Sequence, residues 1–396
     1  MKSTCLFNTN ANKQNPYAMC VKKERIMTMC VVLFCLLLSC KKEKDEPLQP
    51  LKTSNSLVTD FDKRINDIVS PYAQKGSTAG LSIGILKDNK VYYYGYGETK
   101  KGNNTIPDSA TLFELGSITK TFTGLLMIDY LQSHSLSVNC PINDLLPANI
   151  PILQYNNQPI LIKHILNHTS GLPRVPDDFL KENDPENPYK RYDSTMFYTY
   201  LKTFKPKREP GQTLEYSNLG LALMGVILER KLHKPYEQIL LEKLCIPMGL
   251  NQTKITLSDN DLLKYADGHD QHGNFVGHWN DLNAFNSAGA IKSNVKDLMT
   301  YGKNILYSGN SVLKNSIDSS LNVTFESSAE KMGSVWEYID VNGVEFVGHE
   351  GTTAGFNSSL RISKSKNIVL VVLANNGLTA TDLYSCISKL LAEVSK

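Results

Sequence analysis

The sequence predicts an α/β fold of the α+β kind: one sheet of five strands flanked by helices, built from both ends of the chain, with an all-α region inserted. Three observations predict it. Two alternating runs, residues 80–86 and 91–96, come early, and three strand-like runs, 344–349, 357–362 and 368–373, come late. Between them, residues 138–254 carry apolar residues at helical spacing in pieces separated by proline-rich loops. A sheet whose strands lie on both sides of a helical block is most simply one sheet closed by the two chain ends.

Composition bounds the function. The chain has 396 residues, 41% hydrophobic and 20% charged, which is ordinary for one large globular domain or two smaller ones. Its net charge of +3, with no basic stripe interleaved with aromatics, argues against nucleic acid as a partner. Of its 8 cysteines, Cys5, Cys20, Cys30, Cys35 and Cys40 fall in the first tenth of the chain. Cys140, Cys245 and Cys386 are too widely spaced for a disulfide framework and are expected as buried thiols.

Lys22, Lys23 and Arg25 precede an apolar run over residues 29–38, closed by Leu37-Leu38-Ser39-Cys40. A membrane span needs roughly 20 apolar residues, so this shorter run is expected as the core of a signal peptide. Leu-Leu-Ser-Cys resembles the bacterial lipobox, which implies cleavage before Cys40, lipid attachment there, and a location in the cell envelope outside the cytoplasm. Translation is expected to begin at Met19 or Met27. Residues 41–56, charged and containing Pro47 and Pro50, are expected as a flexible tether, and the folded domain as residues 57–396. Within it, residues 57–124 and 284–396 are assigned to the sheet region and 125–283 to the helical region.

Residues 58–72 show helical periodicity through Phe61, Ile65 and Ile68. The two early strands flank Asp88-Asn89, a hairpin signature. Gly80-Leu81-Ser82-Ile83-Gly84 matches the nucleophile elbow of α/β-hydrolases, but that elbow needs a strand before it and a helix after it. Here a second strand follows, so Ser82 is read as a strand residue.

The chemistry centres on Ser117-Ile118-Thr119-Lys120. Six serines have a lysine three residues on, and only Ser117 opens a long apolar helix, residues 117–131. Ser39 lies in the export segment, Ser311, Ser328 and Ser363 lie in polar sequence, and Ser293 reads as the cap of an amphipathic helix over 294–306. On a helix Ser117 and Lys120 share one face, and Thr121 and Gly124 continue that face as a small, polar stripe. A lysine held out of water loses its preference for the charged form and can accept the serine's proton. The pair therefore makes a nucleophile without histidine.

Further landmarks follow. His164-Ile165-Leu166-Asn167-His168-Thr169-Ser170-Gly171-Leu172-Pro173 ends a helix, with its histidines read as capping or packing groups. Tyr216-Ser217-Asn218 precedes an apolar helix over 219–228, which places Tyr216 and Asn218 at a loop-to-helix junction; Tyr155 and Asn157 repeat the spacing without that helix. His269, His272 and His278 lie in glycine- and asparagine-rich sequence without nearby carboxylate or cysteine spacing, so no metal is expected. Residues 382–394 read as a closing amphipathic helix.

Taken in order, Ser117-Ile118-Thr119-Lys120, His168 to Pro173, Tyr216-Ser217-Asn218 and His349-Glu350-Gly351 make the chain resemble the class C β-lactamase-like serine hydrolases over roughly residues 57–396. The resemblance implies a β-lactamase/transpeptidase-like fold, with an antiparallel sheet, an all-α region and the site between them. It implies Ser117 as the acylated nucleophile, Lys120 and Tyr216 as movers of its proton, and Asn218 on the substrate's carbonyl side. His349 and Gly351 then occupy a strand motif that is Lys-Thr-Gly in many relatives, and the backbone N–H groups of Ser117 and Thr352 form an oxyanion hole. No cofactor is implied.

His349 and Glu350 replace the motif's lysine and threonine. A partly cationic histidine, and a glutamate if it faces the cleft, disfavour substrates carrying a carboxylate. The expectation is a membrane-tethered enzyme acting on a small-molecule or peptide acyl substrate through an acyl-Ser117 ester, first as esterase or acyltransferase. A D-alanyl-D-alanine carboxypeptidase or other penicillin-binding protein comes second, then a β-lactamase. A non-catalytic relative that binds peptides or senses them is the rival from another class. The loops 174–187 and 266–285 are expected to shape the pocket.

Overall fold

A computed structural model describes residues 49–75, 77–179, 187–377 and 380–396. The export segment and Cys40 lie outside these residues. Among the described residues no helix is long and apolar enough to cross a membrane.

Helix α1, Asp60–Ala73, starts at a capping box in which Thr59 and Asp62 satisfy each other's backbone N–H groups. Strands β1, Gly80–Lys87, and β2, Lys90–Gly97, form the expected hairpin. Its two turn residues, Asp88 and Asn89, take φ of 51° and 57°, the left-handed pair that matches the twist of the flanking strands. Ser82 sits inside β1, and its hydroxyl donates to the Asp108 carbonyl at 2.8 Å, so no elbow forms.

The sheet is completed by β3, Phe325–Glu326, β4, Lys331–Met332, β5, Glu337–Val341, β6, Val344–Thr352, β7, Asn357–Ser363, and β8, Ile368–Ala374. Its order is β2-β1-β8-β7-β6-β5-β4-β3, every neighbour antiparallel. The five expected strands are contiguous, running from the β2 edge to β6. Three more extend one edge, where β3 and β4 have only two residues each, too short for a periodic pattern to reveal.

Alternation along the strands divides the core. Even-numbered residues of β8 and odd-numbered residues of β1 pack with α1 and the closing helix α5, Ala380–Val394, whose Leu383, Ile387, Leu390 and Val394 face them. Phe346 of β6 belongs to the same layer. Val347, Leu360, Val369 and Val371 point the other way, into the larger core of the helical side. That side holds α2, Thr119–Ser133, α3, Asn218–Leu232, and α4, Val295–Leu306. Helix α2 is buried on nearly every side, as its unbroken apolar run requires.

Two boundaries differ from the sequence reading. The end of the expected tether is ordered: Ser54 N–H donates to Gly95 O at 3.0 Å, Gly97 N–H to Lys52 O at 2.8 Å, and Asn55 Nδ2 to the Asp62 carbonyl and the Tyr96 hydroxyl. These residues cover the free edge of β2, a role polar residues fill as readily as apolar ones. Helix α4 is capped by Asn294, which accepts the Asp297 N–H at 2.8 Å, and not by Ser293, whose hydroxyl is 2.8 Å from that of Thr253.

Candidate active site

Ser117 lies in a single 3-10 turn, Gly116–Ile118, at the N-terminal end of α2. The turn sits against β6 because both contacting segments carry glycine. Gly116 has φ +50°, and a Cβ there would lie 2.7 Å from Thr352 N; a Cβ on Gly351 would lie 1.9 Å from Leu115 O and 2.8 Å from Ser117 N. The two backbone N–H groups expected as the oxyanion hole are thus brought to one place by glycines. Ser358 of β7 fixes the same turn, its hydroxyl donating to Leu115 O at 2.7 Å.

Lys120 is fully buried, and its Nζ donates to Ser117 Oγ at 2.9 Å and to Ala288 O at 2.7 Å. Burial drives its pKa well below the ordinary lysine value, and the charge of Arg174 pushes it the same way. The remainder of the expected stripe is packing. Thr121 accepts a hydrogen bond from Tyr301 Oη at 3.1 Å and donates to Ile118 O, while Gly124 leaves room for Val335, whose Cγ2 would be 2.5 Å from an added Cβ.

Tyr216 reaches the same centre from the loop before α3. Ser217 caps that helix, its hydroxyl accepting the Gly220 N–H at 2.9 Å and donating to Pro173 O at 2.7 Å. His168 holds the turn from behind: its carbonyl accepts Glu215 N–H, its Nδ1 accepts Ser217 N–H at 3.2 Å, and its ring lies 4.4 Å from the Tyr216 ring. This histidine has φ +60°, an uncommon backbone conformation for a non-glycine residue. It packs, as its motif predicts, and what it packs is the site tyrosine. Burial raises the Tyr216 phenol pKa, only partly opposed by its hydrogen bond with Ser117, so it is a neutral phenol at neutral pH.

The cleft beside Ser117 is lined by Asn218 and Thr352 and by an apolar wall of Tyr189, Trp279, Leu282 and Phe285. Asn218 Nδ2 donates to Tyr189 Oη at 3.2 Å, leaving its buried Oδ1 without a partner among the described residues. The loop 266–285, expected to shape the pocket, supplies Trp279, Leu282 and Phe285, while Tyr189 lies just beyond the other expected loop, 174–187.

His349 and Glu350 point to opposite faces of β6. His349 shares the Gly351 face and is buried; Glu350 lies on the other, 3.1 Å from Arg361 Nη2. The expectation that Glu350 might repel a carboxylate in the cleft is therefore withdrawn. His349 Nδ1–H donates to Glu350 O at 2.5 Å, and burial depresses its pKa against the opposing pull of Glu337, so the ring is neutral with Nε2 unprotonated. Arg174, absent from the sequence-predicted set, places its guanidinium 5.2 Å from the centre of the Tyr216 ring.

The three imagined metal ligands do not converge. His269 Nδ1 is bonded to Asn375 O, His272 is exposed, and His278 stacks on Tyr265 with ring centres 4.1 Å apart.

Comparison with known proteins decides the family: residues 65–386 match the family profile described as Beta-lactamase. The chain belongs to the β-lactamase family. Among curated members of that family, it is 30% identical over 205 residues to the D-alanyl-D-alanine-carboxypeptidase/endopeptidase AmpH of Escherichia coli, covering 49% of this chain and 50% of that one. It is 30% identical over 251 residues to a β-lactamase of Providencia stuartii, covering 63% and 61%. The alignments thus span about half to three fifths of these relatives' lengths. The β-lactamase fold is borne out by a class C β-lactamase from Rhodobacter sphaeroides, with a TM-score of 0.73 at 20% identity over 84% of this chain and all of that one.

Proposed function

We propose that this protein is a serine hydrolase that acylates Ser117 and transfers the acyl group to water or another small acceptor, with simple esters as its preferred substrates. In this reading neutral Lys120 takes the Ser117 proton as Oγ attacks the carbonyl, and the backbone N–H groups of Ser117 and Thr352 receive the developing oxyanion. Tyr216, a neutral phenol, passes a proton to the leaving group and is reprotonated through Lys120. Asn218 Oδ1 orients the acyl part. In the second half-reaction the same groups take a proton from the acceptor, the ester to Ser117 breaks, and the serine is restored.

The observation that carries the preference for esters is His349. At the strand position where many relatives have a lysine, this chain has a buried, neutral imidazole whose Nε2 lies 3.9 Å from Glu337 Oε1. A neutral ring there gives a substrate carboxylate no cation to bind. A second reading, a D-alanyl-D-alanine carboxypeptidase, is favoured by Glu350, which turns away to Arg361 and so removes one obstacle to a carboxylate. The name of the Escherichia coli relative points the same way.

Intact-mass spectrometry of the protein with a short-chain p-nitrophenyl ester and, separately, with a penicillin tests these readings, with Ser117→Ala as control. An adduct from the ester alone, lost in Ser117→Ala, supports the esterase or acyltransferase reading. A durable penicillin adduct at Ser117 puts the peptidase first, and no adduct from either turns the reading to a non-catalytic binding protein. The lipid anchor at Cys40 and the resulting envelope location are part of the proposal and rest on the Leu37-Leu38-Ser39-Cys40 pattern.

A further inference from the structure

We propose that Glu114 and Lys292 are positioning residues that clamp the loop of residues 278–282, so that Trp279 and Leu282 form a fixed wall selecting substrates with an aromatic or bulky apolar group. The inference deepens the reading of Ser117 as an acylated nucleophile and rests on it.

Glu114 and Lys292 are cross-strand partners in a two-residue pair, Phe113–Glu114 with Lys292–Ser293. They are 3% and 0% exposed. Charges so deeply buried are costly unless something specific uses them. Among the described residues they form no ion pair with each other within 4 Å. Each grips the loop instead. Trp279 N–H donates to Glu114 Oε1 at 2.7 Å, and Lys292 Nζ donates to Asn280 O at 2.7 Å. The acid thus holds a backbone donor and the base a backbone acceptor one residue on.

The grip has a second layer. Tyr265 Oη donates to the same Glu114 oxygen at 2.8 Å, and His278 stacks on Tyr265. Glu114 lies three residues before Ser117, so one short piece of backbone carries both the nucleophile and the anchor of the facing loop. Trp279 packs edge-on against Tyr189, with ring centres 5.4 Å apart, and Tyr189 accepts the Asn218 hydrogen bond. The loop around Gly273 and Gly277 has little apolar material of its own, so the clamp supplies the order that its composition does not.

The test uses Lys292→Met and the double variant Glu114→Gln/Lys292→Met, which removes both charges together and leaves no uncompensated carboxylate in the core. The chain has 2 tryptophans, and Trp336 is fully buried with its indole N–H donating to Ser320 Oγ, so acrylamide quenching reports Trp279. Quenching is expected to rise about twofold in both variants, and KM for ethyl phenylacetate to rise about fivefold or more, with kcat and the KM for ethyl acetate changing less than about twofold. Unchanged quenching and an unchanged ratio of the two KM values, in variants that still melt cooperatively, overturn the clamp. Wild-type protein that forms no ester at Ser117 while the variants gain quenching overturns the nucleophile and leaves the clamp standing.

Discussion

Lys120 Nζ donates to the Ser117 hydroxyl at 2.9 Å from a position with no solvent exposure. This geometry states a conflict between stability and chemistry, because a buried lysine is expensive when charged and useful when neutral. Lys120→Met is expected to lower the rate of Ser117 acylation by about 10²–10⁴-fold, the usual span for a lost general base. Stopped-flow release from an activated ester measures it.

The same variant makes a signed prediction about stability. The folded-state pKa of Lys120 lies below its unfolded value, so the unfolded chain binds more protons in the window between the two. Wild-type stability therefore gains from this lysine's neutralisation as pH rises through that window, and below the folded pKa it carries the full burial penalty. The stability difference between Lys120→Met and wild type is expected to favour the variant most at low pH and to shrink toward pH ~10.5. Denaturant titrations at several pH values check it; a difference that grows with pH sinks the idea.

Tyr216 is expected to divide the reaction by leaving group. Its neutral phenol is a proton donor, and p-nitrophenolate leaves without a proton while an alkoxide does not. Tyr216→Phe is expected to cost about 10²-fold or more with an ethyl ester and less than about tenfold with a p-nitrophenyl ester. Equal losses with both esters would remove the proton-delivery role.

The sequence made most of this centre legible. Ser117, Lys120, Tyr216, Asn218, His349, Gly351 and Thr352 each sit at or beside a strand or helix with a strongly apolar run, so their neighbours announce where the backbone goes. Trp279, Leu282 and Phe285 do not, because their loop takes its path from hydrogen bonds to Glu114, Lys292 and Asn286 that no local pattern encodes. The stripe through Thr121 and Gly124 misled for the opposite reason: helical spacing correctly placed them beneath Lys120, but small residues on a buried helix also make room for neighbours such as Tyr301 and Val335. The direction of Glu350 needed only strand alternation once the register of β6 was fixed.

Gly351→Ala is expected to abolish detectable acylation while leaving a folded protein. The added Cβ would fall 1.9 Å from Leu115 O and 2.8 Å from Ser117 N, so the Ser117 turn and β6 must separate where the oxyanion donors meet. Loss of one such donor costs about 10²–10³-fold in rate, and displacing both exceeds that. Fluorophosphonate labelling at Ser117, compared by mass with wild type, measures the loss.

Arg174 is expected to set the pH at which the site works. Its carbonyl accepts the N–H groups of Asn218 and Leu219, tying its backbone to the start of α3, and its guanidinium lies over the Tyr216 ring. After burial, its charge is the main influence holding the Lys120 pKa down. In the proposed mechanism acylation needs neutral Lys120, so the rate is expected to rise with pH through that pKa. Arg174→Gln is expected to move this ascending limb upward, lowering kcat/KM at neutral pH, and Arg174→Lys to restore most of it. Because Arg174 is exposed, its field is screened by salt. The wild-type limb is therefore expected to drift upward as sodium chloride is added, and the Arg174→Gln limb to stay nearly still. A variant that loses activity equally at every pH, with no change in salt response, would assign Arg174 to holding the loop and not to tuning the base.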